Sequence, residues 1–175
     1  MATNIMTGRL SYITFNTDIG WVGMLASAKG LLGTTLPQRS AQEAHQLVGD
    51  GANYATWSPR LFDDLMERFK VYFSGHRTTF PDKLDFPRAT HFQREVWKIT
   101  RLIPYGETRS YGWVAEQIKK PQAVRAVGQA LSKNPLPIIV PCHRVVTSNG
   151  KLGGFSGGVE MKKHLLSLEA SASIR

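Results

Sequence analysis

Cys142 is the only cysteine of the chain and stands in the run Ile138-Ile139-Val140-Pro141-Cys142-His143-Arg144-Val145-Val146. An imidazole and a guanidinium follow it directly. A thiol near positive charge is a potential thiolate, and the thiolate is the reactive form. The apolar, largely β-branched runs on either side predict short extended segments that bury their side chains. Pro141 removes a donor and restricts the residue before it, so Cys142 is expected on a fixed, mostly buried turn. The competing role is that of a small core hydrophobe, and spacing alone leaves both open.

Two further stretches carry residues with possible chemistry. Ser110 is placed to cap a helix over 111–118, Lys119-Lys120-Pro121 breaks it, and a second helix is expected over 122–131. Two short helices across a tight break predict a helix-turn-helix. Ala123, Ala126, Gly128 and Ala130 leave the second helix smooth, with Arg125 as its only charge. It lacks the long polar side chains a base-reading major-groove helix needs, so any DNA contact is expected in the minor groove with little sequence preference. Arg125 could then fill the place of a displaced base, and Lys119, Lys120 and Lys133 could meet phosphates; a solvated rim is the plainer role. After Cys142, Asn149-Gly150 signals a turn and Gly153-Gly154-Phe155-Ser156-Gly157-Gly158 a permissive loop, able to let backbone approach a planar ligand. A final helix from Val159 carries Glu169 near its end, where a carboxylate fares poorly against the helix dipole. It therefore needs a local partner, and His143 or Arg144 is the candidate.

The elements that must position these groups divide the chain in two. All of the net charge of +9 lies in residues 88–175, while residues 1–87 carry equal numbers of acids and bases. A one-sided basic half signals a polyanionic partner. Residues 10–15, 21–28 and 31–36 read as strands of an antiparallel meander, separated by turns at 16–20 and 29–30. Residues 40–48 read as a short helix, 50–58 as a loop, and Ser58-Pro59 as the start of a longer helix that buries a broad face of Leu61, Leu65, Phe69 and Tyr72 with Phe62, Met66 and Phe73 beside them. Nothing in this half has ligand or nucleophile spacing, so residues 1–84 read as a scaffold. Phe92, Val96, Ile99 and Ile103 predict an amphipathic helix at the start of the basic half. One cysteine excludes an intrachain disulfide framework. The N-terminus lacks a signal-peptide core, and no apolar run approaches a membrane span. The expected fold class is α+β: an N-terminal domain (1–84) with a small antiparallel sheet plus helices, and a mainly helical C-terminal domain (88–175) with the helix-turn-helix and a buried cysteine.

Pro141-Cys142-His143-Arg144-Val145, with Arg125-Ala126-Val127-Gly128, Asn134-Pro135, Gly157-Gly158 and Leu165-Leu166–Leu168-Glu169, strongly resembles the O6-alkylguanine-DNA alkyltransferases, or methylated-DNA–protein-cysteine methyltransferases. The match is close over residues 90–170; the N-terminal half matches in length and layout only. The resemblance implies direct, stoichiometric repair of O6-alkylguanine in duplex DNA, with the nucleotide flipped out and its alkyl group moved irreversibly to Cys142. It further implies that His143, through a water, and Glu169 deprotonate the thiol, and that Tyr111 gives a proton to the leaving guanine. Arg125 would replace the flipped nucleotide and Asn134 would hold the turn before the active-site segment. Val145, Phe155, Ser156 and Gly157 would line the base pocket. Ser110, Ala123, Arg125, Ala126, Gly128 and Lys133 would face DNA. Phe155 stands where tyrosine is expected, and Ala170 where glycine is common. Some relatives hold a structural zinc through cysteines, which a chain with one cysteine cannot repeat, so no metal and no cofactor are expected. The expected partner is double-stranded DNA carrying O6-alkylguanine, bound by a monomer with no membrane attachment, in the cytoplasm or, for a eukaryotic source, the nucleus.

Three other readings use the same residues. A helix-turn-helix regulator would leave Cys142 as core and show sequence preference. A cysteine hydrolase would use Cys142, His143 and Glu169 but leave the basic half unexplained. A lesion sensor would bind without alkylation, which an intact Cys142 argues against.

Overall fold

The computed structural model describes residues 9–172; the outer ends of both expected domains, and the N-terminal stretch read for a signal peptide, fall partly outside them. Strands β1 (Ser11–Thr17), β2 (Gly20–Ser27) and β3 (Gly30–Thr34) form the expected meander. The sheet is not wholly antiparallel. A short strand β4 (Thr56–Trp57) pairs parallel to β1, giving the order β3-β2-β1-β4. It lies in the stretch read as a loop, after a 3₁₀ turn at Ala52–Tyr54. A two-residue strand is too short to leave a period in the sequence.

Helix α1 (Ala41–Leu47) is capped by Ser40, whose hydroxyl accepts from the Glu43 amide at 3.1 Å. Helix α2 (Pro59–Phe73) begins at a proline with Ser58 in the N-cap position, but the Ser58 hydroxyl caps no amide and donates to the Thr56 carbonyl at 3.0 Å. The buried face of α2 is Phe62, Leu65, Phe69, Tyr72 and Phe73, and Leu61, expected on it, is 62% exposed. Complete burial of a phenylalanine contributes roughly 1.5–3 kcal/mol, against helix-propensity differences of at most about 0.7 kcal/mol. Packing thus sets the rotation of α2, which keeps Phe62 in the buried face and leaves Leu61 outside it.

In the basic half, α3 (His91–Thr100) starts with a reciprocal capping box between Thr90 and Gln93. Helices α4 (Tyr111–Gln117) and α5 (Val124–Ser132) form the helix-turn-helix. At its break, Lys119 takes φ +59° while its amide reaches the Glu116 carbonyl and that of Lys120 the Ala115 carbonyl, each at 2.9 Å. That is a Schellman termination with lysine in the position glycine usually holds. Strands β5 (Arg109–Ser110) and β6 (Val145–Val146) pair in parallel, and α6 (Val159–Ala172) is the last helix.

One apolar cluster runs from Ile13, Phe15 and Val22 through Phe62 and Phe69 to Val96, Val127, Val140 and Leu165, and takes in Cys142. The sheet also grips the chain ahead of the cysteine: the Thr34 amide donates to the Pro135 carbonyl at 3.0 Å and its hydroxyl to Pro137 at 2.9 Å. Residues 138–140, expected to be extended, instead make a tight turn in which Val140 bridges back to Pro137 and its amide reaches Leu136 at 2.8 Å. Ile138 sits there at φ +75°. A β-branched residue with positive φ is strained, and its nearly complete burial holds it in place.

Candidate active site

Cys142 opens a 3₁₀ turn, Cys142–Arg144, and β6 follows at once. The turn sends the first of its three side chains to Asn134 and the other two to Glu169. The Cys142 sulfur, buried with only 6% of the residue exposed, accepts from the Asn134 side-chain amide at 3.2 Å. The same nitrogen donates to the Val140 carbonyl at 2.9 Å, and Asn134 Oδ1 accepts from the Leu136 amide at 2.9 Å. Asn134 therefore ties the end of α5 to the turn that carries the thiol.

His143 and Arg144 both face Glu169 on α6. His143 Nε2 lies 2.7 Å from Glu169 Oε1, and Arg144 Nε donates to Oε2 at 2.9 Å. Arg144 Nη2 donates to Oε1 at 3.0 Å and Nη1 to the Ile103 carbonyl at 2.8 Å, and the Gly106 amide donates to Oε2 at 3.0 Å. Burial on its own would raise the Glu169 pKa, but the hydrogen bonds and charges of His143 and Arg144 outweigh it and hold the carboxyl at about 2. Burial also lowers the His143 pKa, against the pull of Glu169. The imidazole is thus neutral at rest beside an ionised carboxylate. Its other nitrogen, Nδ1, is buried and has no hydrogen bond to the protein among the described residues.

The thiol itself departs from expectation. Neighbouring positive charge was to favour the thiolate, yet the Cys142 pKa is raised, chiefly by burial, with the Asn134 amide and the Lys162 charge opposing. The reason is geometric: Arg144 and His143 turn to Glu169 and leave the sulfur. Cys142 therefore rests as a thiol, and a base must take its proton when it reacts.

Tyr111 begins α4, its ring against Gly128 of α5 and its hydroxyl 3.4 Å from the Gly154 carbonyl. A Cβ on Gly153 would come within 2.7 Å of that hydroxyl. Burial, and then the Cys142 charge, raise the Tyr111 pKa, so the phenol keeps its proton. Lys162 of α6 runs beneath it, fully buried, with Nζ 2.6 Å from the Val145 carbonyl, 3.3 Å from Gly154 O and 3.5 Å from the Tyr111 hydroxyl. Burial brings its pKa down to about 8, with the Cys142 charge acting the other way. A buried ammonium set among carbonyls and a phenol stands ready for negative charge on sulfur or ligand.

The structure brings Cys142, His143, Glu169, Asn134, Tyr111 and Val145 into one region. Val145 is buried and Phe155 half-buried, its ring centre 6.0 Å from the Lys162 ammonium. Ser156 and Gly157 are exposed, with Leu36 of the N-terminal half packed where a Cβ on Gly157 would go. On the helix-turn-helix, Ser110 accepts from the Trp113 amide at 2.9 Å as the α4 cap. Ala123, Ala126 and Gly128 are half-buried, while Arg125 and Lys133 stand exposed near opposite ends of α5. No described contact joins the Arg125 or Lys133 side chain to the thiol cluster; α5 meets that cluster through Gly128 against the Tyr111 ring and through Asn134 just past its end.

Sequence reasoning missed Tyr72 and Lys162. Tyr72, from α2, donates to Glu169 Oε1 at 2.7 Å. Its helical spacing marks it as core, and nothing local signals a hydroxyl aimed at a carboxylate 97 residues away. Lys162, followed by Lys163, carries no motif of its own; its place on the Leu165–Glu169 face was the available signal.

Residues 91–171 match the family model described as 6-O-methylguanine DNA methyltransferase, DNA binding domain. The chain is 52% identical over 114 residues to a methylated-DNA–protein-cysteine methyltransferase of Mycolicibacterium paratuberculosis, covering 65% of this chain and 68% of that one. A protein of the same description from Methanosarcina mazei is 50% identical over 109 residues, 62% of this chain and 68% of its own. Among solved structures, Mycobacterium tuberculosis OGT in complex with DNA superposes with a TM-score of 0.78 at 40% identity, covering 93% of this chain and 94% of that one. The O6-methylguanine-DNA methyltransferase of Pyrococcus kodakaraensis superposes with a TM-score of 0.67 at 27% identity, covering 91% and 98%.

Proposed function

The chain belongs to the O6-alkylguanine-DNA alkyltransferases, the methylated-DNA–protein-cysteine methyltransferases, and on that premise we propose that Cys142, His143, Glu169 and Tyr111 carry its chemistry. It repairs O6-alkylguanine in DNA directly, by transfer of the alkyl group to a single active-site cysteine after the nucleotide is turned out of the duplex. Cys142 is the only cysteine it has. The thioether product has no activated leaving group, so each chain acts once.

The observation that carries the division of roles is the buried His143–Glu169 pair at 2.7 Å, one residue along from the thiol and with Nδ1 left over. Glu169 holds the ring through Nε2, and Nδ1 takes the Cys142 proton by way of a water. The thiolate then attacks the alkyl carbon in line, a carbon–sulfur bond forms, and the carbon–oxygen bond breaks with its electron pair left on guanine. Tyr111 gives its proton to the guanine ring, which neutralises the leaving group. Asn134 positions the sulfur, while Val145, Phe155, Ser156 and Gly157 line the base pocket. Arg125 takes the extruded nucleotide's place in the stack, and Ser110, Ala123, Ala126, Gly128 and Lys133 lie against the DNA backbone.

We further propose a monomer that acts on double-stranded DNA, a domain boundary near residue 85, and residence in a reducing compartment, the cytoplasm or a eukaryotic nucleus. No described helix is long and apolar enough to cross a membrane. Single-turnover rates on O6-methylguanine duplex test the assigned roles. His143→Gln, Glu169→Gln and Tyr111→Phe are each expected to slow transfer by about 10²–10⁴-fold while the duplex still binds. Unimpaired rates in any of them remove that residue from the chemistry.

A further inference from the structure

Tyr72 comes from the half read as scaffold, yet its hydroxyl ends inside the proton relay. It lies 2.7 Å from Glu169 Oε1 and 3.3 Å from His143 Nε2, and all three residues are fully buried. The ring is clamped edge-on by Phe73, Phe80 and Tyr105, with centroids 5.2–6.1 Å away, so the hydroxyl has little room to point elsewhere.

We propose that Tyr72 is a positioning residue of the alkyl-transfer reaction: by donating to Glu169 it keeps hydrogen on His143 Nε2 and limits the imidazole's basicity, so that Nδ1 meets the thiol as a neutral base. The inference rests on His143 and Glu169 acting as proposed above. Counting hydrogens carries it. Glu169 Oε1 faces both the phenol and Nε2 at 2.7 Å and, as a carboxylate, supplies no hydrogen of its own. If the phenol donates to Glu169, its free lone pairs face Nε2. An Nε2 without hydrogen would then set three acceptor atoms against one another around a single proton. If the phenol donated to Nε2 instead, the carboxylate oxygen would lose a donor and face two acceptor atoms. The arrangement that satisfies all three atoms has one hydrogen on the phenol and one on Nε2. Nδ1 is then the ring's acceptor, and it is the nitrogen with no bond to the protein among the described residues.

The phenol and the imidazole also share one oxygen. Each donor takes part of the carboxylate's negative charge, so Tyr72 reduces what His143 gains by accepting a second proton. The other titratable or charged groups facing the relay are Arg144 on the 3₁₀ turn, Tyr105 ahead of β5, Lys162 on α6 and Cys142 itself, with Arg77 acting on Tyr105. Of these, Arg144 donates to Oε1 as well, from Nη2 at 3.0 Å, but it makes no described hydrogen bond to the imidazole, which Tyr72 faces at 3.3 Å. The Tyr72 pKa is raised well above the ordinary value, first by burial and then by Glu169, in keeping with a phenol that stays protonated. The consequence concerns architecture: the relay draws a member from each half of the chain, and the C-terminal half alone is an incomplete site.

Tyr72→Phe keeps the ring and removes the donor, so the full-length variant is compared with the parent and with His143→Gln in single-turnover transfer across pH. In Tyr72→Phe the acid limb of the rate profile is expected to move up by about one pH unit, with the plateau rate at higher pH kept within about fivefold. An acid limb where the parent has it, in a folded Tyr72→Phe, overturns the proposal. If His143→Gln reacts as fast as the parent, the relay reading itself fails; a slow His143→Gln beside an unmoved Tyr72→Phe removes only the role of Tyr72. Should Tyr72→Phe not fold, ¹⁵N-histidine NMR of the parent decides, with His143 assigned by its loss in His143→Gln. A neutral ring protonated at Nε2 is required, and protonation at Nδ1 contradicts it.

Discussion

The side-chain amide of Asn134 donates to the sulfur of Cys142 at 3.2 Å while also donating to the Val140 carbonyl at 2.9 Å. One planar group thus fixes both the turn before the nucleophile and the nucleophile. Asn134→Leu leaves the Val140 carbonyl and the Leu136 amide without their partner. It is expected to cost about 1–3 kcal/mol of stability and to raise the thiol pKa further, because the amide is the chief group opposing burial. Thermal unfolding and the pH dependence of iodoacetamide labelling at Cys142 measure the two effects; an unshifted labelling curve would show that the amide does not act on the sulfur.

Lys162→Met removes the buried charge beneath Tyr111 and Val145. The Lys162 charge lowers the Cys142 pKa, so labelling of the thiol in Lys162→Met is expected to move to higher pH. Stability has its own sign. The folded Lys162 pKa of about 8 lies below the ordinary 10.5, so between these values the unfolded chain holds a proton that the folded chain has released. Raising pH through that window favours the folded state of the parent relative to Lys162→Met. Denaturant titrations of both proteins across the window check it, and a constant difference between them contradicts it.

Glu169 gives the opposite window. Its folded pKa of about 2 lies below the ordinary 4.5, so its contribution is full above about 4.5 and is lost as pH falls toward 2. The difference corresponds to stability on the order of 3 kcal/mol. His143, with its folded pKa also lowered, loses stability in the same direction as pH falls below its ordinary value. Glu169→Gln is expected to be less stable at neutral pH and to flatten the acid limb of the stability curve. An acid limb as steep as the parent's would place the loss elsewhere.

Gly153 lies at φ +72°, and a Cβ there would meet the Tyr111 hydroxyl at 2.7 Å. Gly153→Ala combines backbone strain with displacement of the phenol, at about 1–3 kcal/mol. Single-turnover transfer is expected to slow by about tenfold or more, with duplex affinity little changed. Equal losses in rate and affinity would point to a disordered loop instead.

Arg125 stands exposed on α5, away from the thiol cluster. Arg125→Ala is expected to weaken repair of duplex more than reaction with free O6-alkylguanine, because a base has to be replaced only in the duplex. Equal losses on both substrates would remove that role.

What could be read from the sequence follows the range of the signals. The thiol's turn, the Ser110 cap and the helix-turn-helix depend on neighbours a few residues apart, and local chemistry marks them. Glu169 was traceable to His143 and Arg144 because a carboxylate near a helix end calls for a cation. The acidity of Cys142 was not, since adjacency in sequence does not say that Arg144 turns toward Glu169 and leaves the sulfur to burial. Tyr72 stayed hidden for a related reason: its ring obeys the helical period of a core residue, and only tertiary packing brings its oxygen to the relay. The rotation of α2 that exposes Leu61 was likewise settled by packing.

The mass of the intact protein after incubation with duplex DNA carrying O6-methylguanine, followed by peptide mapping, tests the central claim most directly. Uptake of one methyl group per chain, located on Cys142 and absent from Cys142→Ala, is the predicted result. An unchanged mass in a protein that still binds the duplex would contradict it.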